Sequence, residues 1–111
     1  MRLLGIVVLL ISIFSLSANA KDMSFDNYIN MPYSVVRADL MNKGWKTLTN
    51  KKIQDSSLYA VGIFDQGYKE VLDCISMERD QCQFVLTKNK KLIVITTKEK
   101  GLNVESIEIK K

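Results

Sequence analysis

The second half of the chain contains four short apolar-rich runs, three of them with alternating apolar and polar residues and the other, LIVITT, nearly continuous in apolar residues, and this pattern most constrains the fold. The runs are YKEVLDCI, CQFVLT, LIVITT and VESIEIK, at residues 68–75, 82–87, 92–97 and 104–110. A period of two is typical of β-strands with one buried face, and polar turns between runs suit hairpins. In the last run the apolar positions shift from even to odd between Val104 and Ile107, which indicates a β-bulge. The sequence therefore predicts a four-stranded antiparallel sheet.

The first of these runs should present two distinct faces. One face would carry Tyr68, Glu70, Leu72 and Cys74. The other would carry Val71 and Ile75. Glu70 and Asp73 would then lie on opposite faces, so these two carboxylates are not expected to share a proton.

A helix is predicted ahead of the sheet, over residues 32–43. Pro32 is tolerated at a helix start and Gly44 supplies a stop. The apolar stripe of this helix consists of Tyr33, Val36 and Leu40, at i, i+3 and i+7. Trp45 follows the stop directly, and we expect it to close the core at the helix end.

A second helix is predicted over residues 55–66, with Asp55 or Ser56 as its N-cap. Its expected buried face includes Leu58 and Val61. Gly62 weakens the helical pattern by about 1 kcal/mol, so a strand LYAVGIF remains the alternative. The expected fold class is α+β, with one or two N-terminal helices packed on one face of the four-stranded antiparallel sheet in two layers.

The N-terminus has the three parts of a secretory signal peptide. Arg2 precedes an apolar run over residues 3–16, and the A-x-A pattern ANA follows it. This run is shorter than the about 20 residues that a membrane-spanning anchor needs, and Lys21 stands where a lipoprotein would carry cysteine. We expect cleavage after Ala20, a periplasmic or secreted product, and contact with a membrane only during export.

Residues 21–111 are long enough for a single α+β domain. The whole chain has a formal charge of +4, and residues 1–20 contribute one arginine and no acid, which leaves +3. Nucleic-acid binding is typical of a stronger and clustered excess of basic residues. We therefore expect no nucleic-acid partner.

The two cysteines of the chain are expected to pair. An exported protein with an even number of cysteines usually oxidises them. A zinc site would need further nitrogen or sulfur ligands, and the chain has no histidine. A C-x-x-C redox motif is excluded because seven residues separate Cys74 from Cys82. The prediction is a disulfide between the end of the first strand and the start of the second, with no metal and no cofactor.

The motifs MPYSVVRADLMNKGW, GYKEVLDC, CQFVL and LIVITT, in this order, resemble a group of small exported bacterial proteins. The matching positions are Tyr33, Arg37, Leu40, Gly44, Trp45, Cys74 and Cys82. The fold of this group looks similar to one repeat of the β-lactamase inhibitory protein, a helix-loop-helix layer on a four-stranded sheet. The resemblance covers nearly all of residues 31–97, and the likeness to an inhibitor fold fits a protein-binding module, although most members of the group have no assigned activity.

The sequence indicates no catalytic set, and we do not expect an enzyme. A serine or cysteine nucleophile needs a neighbouring base, and histidine is absent. Glu78 and Asp80 form the closest pair of acids in a loop, but Arg79 between them is typical of a solvated loop. The turn KNKK at residues 88–91 is typical of a solubilising hairpin tip, and its alternative is contact with an acidic partner or anionic lipid headgroups.

The remaining candidate site is the face of the sheet that no helix covers. One alternate set of strand residues should point outwards there, and exposed valine and isoleucine are typical of a protein-binding surface. The candidate residues are Gln83, Val85, Thr87, Ile93, Ile95 and Thr97. A loop, the N-terminal segment or a second copy of the chain could instead cover this face.

Two interpretations of function follow. In the first, the chain is a small protein-binding module, an inhibitor or immunity-type protein whose partner is an envelope enzyme or a toxin. In the second, it is an envelope accessory or assembly protein without catalytic activity. Small size, export, a disulfide and the resemblance to an inhibitor fold favour the first.

Overall fold

The computed structural model describes residues 24–75, 80–100 and 102–110. The predicted signal peptide over residues 1–20 lies outside these ranges, as do Glu78 and Arg79 of the charged loop. Within them the chain is α+β, with two α-helices and five strands. No helix in the described part of the chain is long and apolar enough to span a membrane.

Both predicted helices are present, and each follows a short 3₁₀ turn. The helices are α1, Tyr33–Asn42, and α2, Leu58–Asp65. The 3₁₀ turns are Asp26–Tyr28 and Ile53–Asp55. The strands are β1, Lys46–Thr47, β2, Val71–Ile75, β3, Gln81–Lys88, β4, Lys91–Lys98, and β5, Asn103–Lys110. The four predicted strands are confirmed as β2 to β5, and β1 is additional.

Helix α1 starts and stops where the sequence indicates. Pro32 occupies the N-cap in an extended conformation, and Gly44 just beyond the helix has a φ of +100°, which glycine adopts at little cost. The predicted stripe of Tyr33, Val36 and Leu40 is buried, with at most 1% exposure. The backbone N–H of Trp45 donates to the Leu40 carbonyl at 3.0 Å, and the Trp45 side chain is 4% exposed. Its predicted place in the core is confirmed.

Helix α2 is also a helix rather than the alternative strand, but its cap and phase differ from the prediction. The N-cap is Ser57, whose hydroxyl accepts from the Ala60 N–H at 3.2 Å. Asp55 is the last residue of the preceding 3₁₀ turn and Ser56 is the C-cap of that turn, so neither residue is the N-cap of the helix. With this start, Ala60 and Ile63 face the core and Leu58 is 89% exposed.

Strand β3 lies at the centre of an entirely antiparallel sheet. It pairs with β4 on one side, and β5 follows β4. On the other side β1 lies opposite Leu86 and Thr87, whereas β2 pairs with residues 81–84. The predicted strand count of four was wrong because β1, with two residues, is too short to show a period.

Two irregularities change which residues face the core. In β5, Thr96 lies opposite Ser106 and Thr97 opposite Val104, so Glu105 is an extra residue. The predicted bulge is confirmed. In β2, Val71 lies opposite Phe84 and Asp73 opposite Gln83, so Leu72 is also extra. The predicted face of β2 was wrong for this reason, since Val71 is 0% and Leu72 is 43% exposed.

Buried side chains from both helices and from the inward face of the sheet form one hydrophobic cluster. The Tyr33 ring stacks on the Phe84 ring with centroids 3.9 Å apart, which joins α1 to β3. The predicted disulfide between Cys74 and Cys82 is confirmed, and these residues lie directly opposite each other in the β2–β3 ladder. The described residues include no free cysteine.

Candidate functional site

The predicted binding residues do not share one face of the sheet. Gln83, Val85 and Thr87 point outwards, whereas Ile93, Ile95 and Thr97 are 0% exposed. The latter three are core residues opposite Leu86, Phe84 and Cys82. This half of the predicted face was therefore wrong.

The turn between β3 and β4 explains the error. Asn89 and Lys90 form a two-residue connection, with φ of 51° and 70°, as hairpins matched to the twist of a sheet require. Such a connection places Lys88 opposite Lys91 and Val85 opposite Val94. Odd positions of β3 thus share a face with even positions of β4. The segment KNKK at residues 88–91 indicated this register, because the length of a hairpin turn sets the register of its two strands.

The corrected outer face has an apolar centre. Its central residues are Leu48, Leu72, Val85, Leu92 and Val94, with Thr87 and Thr96 beside them. Leu48 and Leu72 are 46% and 43% exposed, and the others are half-buried. No helix among the described residues covers this face, because the buried side chains of both helices join the core on the opposite side.

A groove of about 390 Å³ opens on this face between β1 and β2. Its lining consists of Leu48, Thr49, Asn50, Lys51, Glu70, Leu72 and Val85. The groove exists because β1 pairs with β3 on one side of Val85 and β2 pairs with β3 on the other, so neither strand lies directly opposite Val85. There the Leu48 N–H donates to the Val85 carbonyl, and the Val85 N–H donates to the Glu70 carbonyl, both at 3.1 Å.

Asn50 fixes the wall of this groove. Its side-chain amide donates to the carbonyls of Val71 and Leu72, at 3.0 and 3.1 Å. Its backbone N–H donates to the Lys69 carbonyl at 2.8 Å. Asn50 therefore holds the bulged residue Leu72 in place with two hydrogen bonds to β2 and one to Lys69 just before it. A partner would meet a preformed apolar groove, which limits the ordering cost of binding.

An ion pair between the half-buried Arg37 and the buried Glu70 lies beside the groove. The Glu70 side chain is fully buried, and its carboxylate accepts from the Tyr33 hydroxyl at 2.6 Å and from Arg37 Nε at 2.7 Å. Arg37 Nη2 donates to the second carboxylate oxygen at 3.2 Å. Hydrogen bonding to Glu70 raises the pKa of Arg37. Burial, and then the charge of Glu70, raises the pKa of Tyr33 well above its usual range.

This network has a structural role, and the sequence analysis missed it. Tyr33 and Arg37 are four positions apart on α1 and so lie on the same side of the helix. That spacing was a usable signal, but the acid that completes the network, Glu70, comes from a loop far along the chain. Asp73 has different partners, the N–H groups of Ser57 and Cys74, and these hydrogen bonds lower its pKa.

A second surface feature is a group of lysines at the end of the sheet where β3 turns into β4. The group consists of Lys43, Lys46, Lys88, Lys90, Lys91 and Lys110. The register brings it together, since Lys46 lies opposite Thr87 and Lys110 opposite Leu92. Lys88 Nζ donates to the Lys43 carbonyl at 2.7 Å. We call this group the lysine end.

The described residues contain no group of three or more metal-ligating side chains. A separate open cleft of about 560 Å³ is lined by Tyr59, Ile63, Gln66, Asp80, Lys100 and Leu102. Asp80 and Lys100 each adjoin residues outside the described ranges, and we assign the cleft no role. Comparison with protein-family models, with curated proteins and with solved structures finds no match to this chain.

Proposed function

We propose that this chain is a non-catalytic protein-binding module of the periplasm or the secreted fraction, an inhibitor or immunity-type protein. The observation that carries the proposal is the outer face of the sheet, with its apolar centre and its groove. A surface of this kind fits the core of a protein interface, where apolar side chains are enriched and charges are depleted.

The groove would supply the energetic centre of such an interface. Binding energy concentrates in a few apolar anchors that fill desolvated pockets. Leu48, Leu72 and Val85 offer such a pocket, and Asn50 holds it open. The partner's anchor would be an aromatic or aliphatic side chain.

Affinity capture with matched variants tests this proposal. The exported protein, immobilised with its disulfide intact, is exposed to envelope and secreted proteins of the source cell and of its competitors. We expect one stoichiometric partner whose own activity falls when it binds. Leu72→Asp should abolish capture, because it puts a charge beside the groove at a position that is already 43% exposed.

Leu58→Asp is the matched control, since Leu58 is 89% exposed on α2 and away from the outer face. It should leave capture unchanged. Equal loss in both variants, or no loss in Leu72→Asp, would remove the outer face from the proposal. Capture of membrane components alone would favour the envelope accessory interpretation instead.

A further inference from the structure

The lysine end has a local positive charge that the small net charge of the chain does not indicate. It has six lysines, and Asp39 and Glu108 pair with two of them, Lys43 at 3.3 Å and Lys110 at 3.4 Å. The local excess of four positive charges equals the formal charge of +4 of the entire chain. Within the described residues, Lys46, Lys90 and Lys91 take part in no ion pair.

Three parts of the chain that are distant in sequence build this end, and the fold holds them together. They are residues 43–46 after α1, the hairpin tip at residues 88–91, and the end of β5. Gly44 allows the close contact, because a Cβ at this position would lie 3.3 Å from Lys88 Cε. Hydrogen bonding to Tyr28, and then to Asp39, raises the pKa of Lys43.

Exposed apolar side chains accompany the charges. Met41 in the last turn of α1 is 44% exposed, and Ile109 next to Lys110 is 43% exposed. The lysine end therefore combines ammonium groups with two exposed apolar side chains close to them in the chain. It is made of a turn, a hairpin tip and a strand end.

We propose that the lysine end docks on an anionic lipid surface. All six basic residues are lysines, which are depleted in protein interfaces, where arginine and aromatic residues are enriched. A lysine ammonium is a compact point charge without the planar fork of arginine, and it suits a diffuse array of lipid phosphates. Met41 and Ile109 would enter the headgroup region, where apolar contact adds to electrostatic attraction.

This site adjoins the protein-binding face but does not include its groove. Lys46 and Lys110 lie opposite Thr87 and Leu92 at the edge of the outer face. None of the six lysines lines the groove. A chain docked by the lysine end would leave the groove open to a protein partner. Such docking would hold the exported module at the membrane where an envelope partner works, so membrane contact would extend beyond the export step expected from the sequence.

Vesicle co-sedimentation tests the proposal with the exported protein, the form also used for affinity capture. One set of vesicles is phosphatidylcholine alone, and the other contains about one-third phosphatidylglycerol, which supplies the anionic charge. We expect binding to the anionic vesicles only, and release in about 0.5 M salt because the attraction is screened.

Two charge-reversal variants locate the site. Each lysine near an anionic surface strengthens binding about fivefold, so Lys90→Glu/Lys91→Glu should weaken it by at least roughly 25-fold. Lys52→Glu/Lys100→Glu makes the same change of charge away from the lysine end, and it should weaken binding less than about threefold. All four lysines are exposed, so near-ultraviolet circular dichroism should show that both variants stay folded.

Each alternative outcome overturns the proposal. Equal binding to both kinds of vesicle would show apolar insertion without charge recognition. Equal losses in the two variants would show a response to net charge alone. Binding of polyglutamate or inorganic phosphate, with no binding to anionic vesicles, would assign the lysine end to an acidic protein or a free anion.

Discussion

Removing the Tyr33 hydroxyl should destabilise the protein at neutral pH and much less at alkaline pH. In Tyr33→Phe the ring still stacks on Phe84, but the 2.6 Å hydrogen bond to Glu70 is lost. A hydrogen bond to a charged group contributes about 1.5–3 kcal/mol. Arg37 still pairs with Glu70 in the variant, so we expect a loss of roughly 2 kcal/mol in the free energy of unfolding at pH 7.

The pH dependence follows from the raised pKa of Tyr33. Burial and the charge of Glu70 keep the phenol protonated in the folded state, whereas the unfolded chain loses this proton near pH 10. The stabilisation is thus fully present below pH 10 and falls as pH rises, by about 1.4 kcal/mol per pH unit. Tyr33→Phe lacks this dependence. The difference in free energy of unfolding between the two proteins, roughly 2 kcal/mol at pH 7, should therefore reach zero at about pH 11.5.

Urea unfolding of both proteins, at pH 7 and at steps between about pH 10 and pH 11.5, measures this difference. Other groups titrate equally in the two proteins and cancel in the comparison. A gap that stays constant with pH would refute the reasoning, because Tyr33 would then ionise alike in the folded and unfolded states. A negligible gap at pH 7 would show that the hydrogen bond to Glu70 contributes nothing.

Three further predictions concern the core, the disulfide and the N-terminus. Trp45→Ala should lower the free energy of unfolding by roughly 3–5 kcal/mol, because Trp45 is 4% exposed, and a change within the error of denaturant titration would contradict its place in the core. Alkylation without reductant should label no thiol by mass spectrometry, and Cys74→Ser/Cys82→Ser should destabilise the fold by roughly 2–3 kcal/mol in urea. N-terminal sequencing of the exported protein should begin at Lys21, and a start at Met1 would restore the membrane-anchor alternative.

The elements with a clear local pattern could be predicted from the sequence. Helix α1 has its stripe and its glycine stop, and β3 and β4 have alternating or continuous apolar runs. Even the bulge in β5 was visible, because the apolar positions change parity between Val104 and Ile107. In each case the signal lies within about ten residues, the range over which a helical or strand period repeats.

The elements that depend on a distant neighbour could not be predicted in the same way. Strand β1 exists only because Lys46 and Thr47 meet the far end of β3. The extra residue Leu72 in β2 reverses the expected faces. For the candidate site, Gln83, Val85 and Thr87 were placed correctly, whereas the partners assigned to them on β4 belong to the core.

By itself, the sequence determined helix α1, a set of antiparallel strands and a disulfide, because hydrophobic period, glycine stops and cysteine number are local properties. It favoured a second helix but left a strand as the alternative. The tertiary structure decided which residues meet. It set the register that separates the outer face from the core and gathered the lysine end from three parts of the chain. It also placed the buried carboxylate of Glu70 against Tyr33 and Arg37. These are contacts between residues far apart in sequence, and their geometry follows from packing rather than from any local pattern.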